Sequence, residues 1–167
     1  MDAATKRRET FLSMYRLVAL TFSTVNLILL LIWAFDAADI VFLSVIIGLS
    51  AVSLSYLLCL IFLALDILYR DRHVTRSCFA RLRRADVTFS ALTCLLWFAE
   101  TVLITYTTVS LSNDDPYPYH PYEDDVSVVV GGIICAFSGL LTISWGVIVY
   151  LCAKILRSTR NGYDQLD

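Results

Sequence analysis

Four apolar runs, at residues 17–35, 40–68, 87–111 and 126–156, occupy 104 of the 167 positions of this chain. They hold 19, 29, 25 and 31 residues, and about 20 predominantly apolar residues make one helical crossing of a bilayer. All four are long enough, the first only just. A water-soluble domain carries roughly a quarter charged residues. Here the charged share is 17%, against 58% hydrophobic and a mean hydropathy of +0.71. The longest remaining segment, 69–86, has 18 residues, which excludes a folded soluble catalytic or nucleic-acid-binding domain. The sequence predicts an all-α integral membrane protein, a four-helix bundle with spans at those four runs.

Charge supplies an orientation. All 13 Lys and Arg fall in three places: Lys6, Arg7, Arg8 and Arg16 before the first span, Arg70, Arg72, Arg76, Arg81, Arg83 and Arg84 between spans two and three, and Lys154, Arg157 and Arg160 at the end of span four. The connections 36–39 and 112–125 hold seven acids and no base. Cytoplasmic loops carry the Lys/Arg excess, so both termini, 1–16 and 157–167, are expected in the cytoplasm together with the basic loop 69–86. The net charge of −2 conceals this asymmetry. The first run exceeds the 7–15 residues of a signal-peptide core and reads as a retained span, with Ala34, Ala37 and Ala38 as the cleavage-site residues of the alternative.

Cys59, Cys94 and Cys135 lie inside spans, and Cys78 and Cys152 at or near the cytoplasmic surface. None is placed for an exoplasmic disulfide, where one could persist. No Asn-x-Ser/Thr acceptor is present in the sequence.

In lipid, helices associate through close backbone approach and buried polar contacts rather than hydrophobic burial. Span two carries small residues at helical spacing, Ser44, Gly48, Ala51, Ser55 and Cys59. Span four carries Gly132, Ala136, Gly139 and Gly146, its glycines seven apart. A seven-residue period keeps positions on nearly one face. These faces are expected to make close helix–helix contacts, between spans two and four or between protomers. No proline interrupts a span, the two exoplasmic connections differ in length and no internal repeat is visible. Broken helices in two related halves mark many secondary transporters, so this pattern argues against one.

Glu100 stands one position from the middle of span three. An intramembrane acid costs about 2.5–3.5 kcal/mol on the insertion scale, so it must be protonated or paired. Asp86, Thr93, Glu100 and Thr107 repeat every seven residues and predict a polar seam, and Asn26, at the middle of span one, is the partner best placed by depth. Arg16 lies too close to the cytoplasmic surface to meet Glu100 unless its side chain reaches inward. An intramembrane ionisable residue reads by default as a proton or ion site. With one acid and no relay of buried bases, the structural reading, an interhelical hydrogen bond that docks span three, is preferred.

The basic loop, with Arg70, Arg72, Arg76, Arg81, Arg83 and Arg84 facing the headgroups, suits the anionic cytoplasmic leaflet at about 1 kcal/mol per cation. Cys78 is a candidate palmitoylation site. The second exoplasmic loop, SNDDPYPYHPYEDD, favours extended polyproline-like backbone and surrounds His120 with acids. The tail Gly162-Tyr163-Asp164-Gln165-Leu166 resembles the Tyr-x-x-bulky-apolar sorting signal read by clathrin adaptors, with Tyr163 and Leu166 as its two anchors. Phosphate loops, dinucleotide fingerprints, nucleophile constellations and metal-ligand clusters are absent. No enzyme activity, cofactor, metal or nucleic-acid partner is therefore expected.

The four-residue first exoplasmic loop has no place for the cysteine-paired domain of claudins, nor the second loop for the cysteine-rich domain of tetraspanins. Arg16 ahead of Leu17-Val18-Ala19-Leu20-Thr21-Phe22, and Ala85-Asp86-Val87-Thr88-Phe89 running into Leu95-Leu96-Trp97-Phe98-Ala99, resemble MARVEL-domain proteins, particularly fungal members. That resemblance implies a non-enzymatic component of membrane apposition, microdomains or vesicle trafficking, in an endosomal, lysosomal, vacuolar or plasma membrane. The alternatives from other classes are a small channel or proton-coupled carrier using Glu100, and an accessory subunit of a membrane complex, with homo- or hetero-oligomers expected.

Overall fold

The computed structural model describes residues 3–36, 42–70, 76–113 and 123–161, with side chains described over 7–34, 43–65, 81–110 and 128–158. These residues form four α-helices: α1 (Ala3–Asp36), α2 (Phe42–Arg70), α3 (Arg76–Asn113) and α4 (Glu123–Asn161). At 1.5 Å per residue, helices of 29 to 39 residues run about 44–59 Å, well beyond a hydrocarbon core of about 30 Å. The excess lies mostly at the basic end. There α1 starts 14 residues before its apolar run, α3 starts 11 before, and α4 continues five past. Arg and Lys are good helix formers, so nothing local stops the helix where the apolar run stops.

Neighbouring helices touch in the order α1, α2, α3, α4 and back to α1, a closed ring in which α3 and α4 pack most extensively. Short connections make successive helices antiparallel neighbours. Side-chain contacts confirm the alternation: Arg16 in the first half of α1 meets Asp86 in the first half of α3 and Cys152 in the second half of α4. Among the described residues α2 and α4 make no close backbone approach. The expected contact between their small-residue faces is therefore corrected: the ring puts α2 and α4 on a diagonal.

Buried positions step alternately three and four along each helix. In α3 they are Arg83, Asp86, Ser90, Thr93, Trp97, Glu100, Ile104 and Thr107, and in α4 Gly131, Ile134, Ser138, Leu141, Trp145, Ile148, Cys152 and Ile155. This alternation is the seam of three-four helix packing, with crossing angles near 20°. In α2 the predicted stripe is the seam: Ser44, Gly48, Ala51, Ser55 and Cys59 are all buried. In α4 it is not. Gly132 and Ala136 are exposed, Gly139 and Gly146 half-exposed, and a Cβ built on any of the three glycines meets nothing within 4 Å. The glycine stripe sits one position, about 100°, around the helix from the buried seam.

Polarity is distributed inside out. Arg16, Asn26, Asp86 and Glu100 are at most 1% exposed, whereas Leu95, Ile143 and Tyr106 are 64, 66 and 73% exposed. Charged residues are almost never buried in water-soluble folds unless paired, and large apolar patches are not left on the surface. Each helix contains a segment long and apolar enough to cross a membrane: Arg7–Ala34, Leu43–Leu65, Arg81–Ser110 and Val128–Ser158. The exterior is built for lipid, as in an integral membrane protein.

Candidate functional site

Two polar clusters occupy the interior. The first lies at the basic end and draws on all four helices. Asp86 of α3 receives Arg16 Nη2 of α1 at 2.5 Å, Arg83 Nη1 at 3.2 Å and Cys152 Sγ of α4 at 3.3 Å, all on Oδ2, while Ser90 Oγ donates to Oδ1 at 3.3 Å. Arg83 also reaches Glu9 Oε1 of α1 at 3.5 Å. From α2, Phe62 lies with its ring centroid 4.9 Å from the Arg16 guanidinium carbon, and Cys59 Sγ donates to the Arg16 carbonyl at 3.4 Å. Two cations and two anions thus balance, with Arg16, Arg83 and Asp86 buried and Glu9 a quarter exposed at the edge. Burying such a set costs desolvation, and only good geometry with further hydrogen bonds offsets it; here Asp86 has four donors.

The second cluster lies at mid-bundle. Asn26 Nδ2 of α1 donates to Glu100 Oε1 of α3 at 3.3 Å and to Ser138 Oγ of α4 at 3.2 Å. From α2, Gly48 makes room: a Cβ there would stand 2.6 Å from Glu100 Oε1 and 2.7 Å from Leu30 Cδ1. This glycine is needed for its missing side chain, since the carboxyl occupies the space. Glu100 Oε2 and Asn26 Oδ1 are buried with no protein partner. The buried base that comes closest in sequence register, Arg16, is committed to Asp86 and lies ten residues, about 15 Å, away along α1. Between the clusters, Trp97 Nε1 donates to Ser55 Oγ at 2.8 Å. Beyond the second, Ser44 and Thr107 hydroxyls meet at 3.4 Å; because Thr107 donates to the Leu103 carbonyl, Ser44 is the donor.

The predicted polar seam is therefore one face but several partnerships. Asn26 and Glu100 come together, and Thr107 finds Ser44. Thr93 is buried yet bonds back to the Phe89 carbonyl on its own helix at 2.9 Å, so it does not join Glu100. Sequence reasoning missed Ser138, and it missed that Arg16 belongs to Asp86. A signal for the pair was present: Arg16 and Asp86 each stand immediately before an apolar run, and spans one and three run in the same direction, so the two side chains share a depth.

Other expectations are adjusted. Arg81 and Arg84 are exposed, but Arg83 is 4% exposed and turned inward by Asp86 and Glu9; it is not a headgroup-facing cation. Cys152, at the basic end, is buried against Asp86. Cys59, Cys94, Cys135 and Cys152 are free thiols. Arg72, His120, Tyr163 and Leu166 lie outside the described residues, as do the side chains of Arg70, Arg76 and Cys78.

Chemically, the first cluster is a closed ionic tie, while the second is a single carboxyl with an amide and a hydroxyl, suited to hydrogen bonding or to carrying one proton. Compared with protein-family models, curated proteins and solved structures, the chain has no significant match.

Proposed function

We propose that this chain is a non-enzymatic four-pass membrane protein, both ends cytoplasmic, that organises lipids or partner proteins within a bilayer. One observation supports this reading above the others. The interior charges at the basic end are spent on one another, with Arg16, Asp86, Arg83 and Glu9 joined in one cluster. Polar groups used in this way fix helix register and depth. The MARVEL-like role in microdomains or vesicle trafficking belongs to the same proposal, as do the tail signal at Tyr163 and Leu166, palmitoylation of Cys78 and an endomembrane or plasma-membrane location. The outward small residues of α4 supply a face against which a partner helix can approach closely.

A second reading, a proton- or ion-conducting bundle, draws on the unpartnered Glu100 Oε2 and Asn26 Oδ1. Reconstitution separates the two. The organiser reading expects vesicles holding the purified chain to be no leakier to protons or alkali cations than empty ones, and Glu100→Gln to leave partner crosslinking in native membranes unchanged. A flux that Glu100→Gln abolishes would replace the first reading with the second.

A further inference from the structure

Glu100 and Asn26 are joined by one hydrogen bond, and each has an atom to spare. Asn26 Nδ2 carries two hydrogens and spends them on Glu100 Oε1 at 3.3 Å and Ser138 Oγ at 3.2 Å. What remains is the second oxygen of each planar group. Glu100 Oε2 and Asn26 Oδ1 belong to fully buried side chains and have no hydrogen-bond partner. Both are acceptors while the carboxyl is ionised, so neither can satisfy the other. Ser138 still has its hydroxyl hydrogen, but it makes no hydrogen bond to either atom. Over 23–30 of α1, 44–52 of α2, 97–104 of α3 and 134–141 of α4, Glu100 is the one acid and there is no Lys, Arg or His. The one thiol in those segments, Cys135, pairs with Thr105 Oγ1 at 3.0 Å.

We propose that Glu100 holds a proton on Oε2 and donates it to Asn26 Oδ1, so that a neutral, doubly hydrogen-bonded acid–amide pair locks α1 to α3 at mid-bundle. One hydrogen turns two unsatisfied acceptors into a donor and its acceptor. The pair then closes into a ring with the Nδ2–Oε1 bond already present. The proton comes from solvent, and no other bond is made or broken. Without it, a buried carboxylate and an amide oxygen would be left with neither donor nor counter-charge, a state that buried groups escape by neutralisation. A proton also suits this place better than a metal cation. A Cβ on Gly48 would stand 2.6 Å from Oε1 and 3.1 Å from Cδ of Glu100, so α2 closes directly on the carboxyl. A hard cation needs a shell of about six oxygen ligands, whereas a proton needs only its donor and acceptor. The inference goes beyond the proposed function and is independent of it, since an organiser and a conducting bundle can both hold this proton.

The test is infrared spectroscopy of the full chain at neutral pH in alkyl maltoside micelles, whose detergent has no carbonyl of its own. Glutamate is labelled with carbon-13 at its side-chain carboxyl. The chain has three glutamates, Glu9, Glu100 and Glu123, and Glu9 is paired with Arg83. The labelled wild type is expected to show the isotope-shifted C=O stretch of a protonated carboxylic acid, and Glu100→Gln to lose it. Asn26→Leu should move that band to higher frequency, because the carbonyl then accepts no amide hydrogen and the O–H has no amide acceptor. Thr107→Val, which removes a buried hydroxyl two turns away on α3, should leave the band in place. Absence of a labelled acid band from the wild type would overturn the proposal without recourse to any variant. A labelled carboxylate band that disappears in Glu100→Gln and shifts when potassium replaces sodium would put a cation where the proton is assigned. An acid band unmoved by Asn26→Leu would overturn the pairing, and one that survives Glu100→Gln would overturn its assignment to Glu100. Each of these failures leaves the organiser reading standing, since that reading is decided by the flux measurement.

Discussion

The two buried clusters solve the same problem to different degrees. At the basic end Asp86 has four donors, and the arginines facing it have further contacts with Glu9, Phe62 and Cys152. At mid-bundle the Glu100 carboxyl accepts from Asn26 through Oε1, while its Oε2 and the Asn26 Oδ1 are buried without a hydrogen-bond partner. The first cluster is charged and closed, and it ties three helices by side-chain hydrogen bonds and the fourth through Phe62 and Cys59. The second holds its place by exclusion as much as by attraction, since Gly48 is the void into which Glu100 fits. Depth explains the contrast. Near the headgroups a chain can recruit several charged side chains cheaply, whereas at the bilayer centre each additional ion costs insertion energy.

This contrast can be broken most sharply at Asp86. Asp86→Leu removes the carboxylate on which Arg16, Arg83, Ser90 and Cys152 converge and should cost about 3–5 kcal/mol, read as earlier unfolding of the purified chain in mixed detergent micelles. Adding Arg16→Met should recover most of that loss, because an apolar pair of similar volume replaces the ions. Gly48→Ala comes next, at about 1–3 kcal/mol from overpacking in the same assay. Gly139→Ala, on the outward stripe of the same type of residue, should change stability by less than about 0.5 kcal/mol. The smallest effect belongs to the carboxyl itself. Glu100→Leu should cost about 1 kcal/mol or less through the lost Asn26 bond, in line with interhelical hydrogen bonds in membranes. Glu100→Gln, whose carbonyl still accepts from Asn26, should be nearly silent. A Glu100 effect as large as that at Asp86 would erase the distinction between the clusters.

Much of this architecture is legible in the chain before any coordinates. Run length gives four helices, and the Asn26–Glu100 pairing follows from equal depth on spans one and three. The same depth argument, applied nearer the basic end, yields Arg16 with Asp86, since each stands immediately before an apolar run. The α4 glycines fail for a different reason. A seven-residue period identifies a shared face but not which way that face points, and Gly131, one position away, is the buried one. A Cβ on Gly131 would stand 2.5 Å from Thr108 Oγ1. Residue size does not tell inside from outside either: Ile134, Leu141, Trp145 and Ile148 are buried, but Ile133, Leu140 and Ile143 on the same helix are exposed. Ser138 is hidden because hydroxyls are common in membrane helices and carry no depth signal of their own.

The tie between Arg16 and Asp86 spans 70 residues of sequence, and this has a consequence for biogenesis. The cluster is therefore complete only when α1, α3 and α4 are all in place: a chain ending before α3 lacks the carboxylate on which Arg16, Arg83, Ser90 and Cys152 converge, and the basic end of the bundle is then missing the group that joins three of its helices.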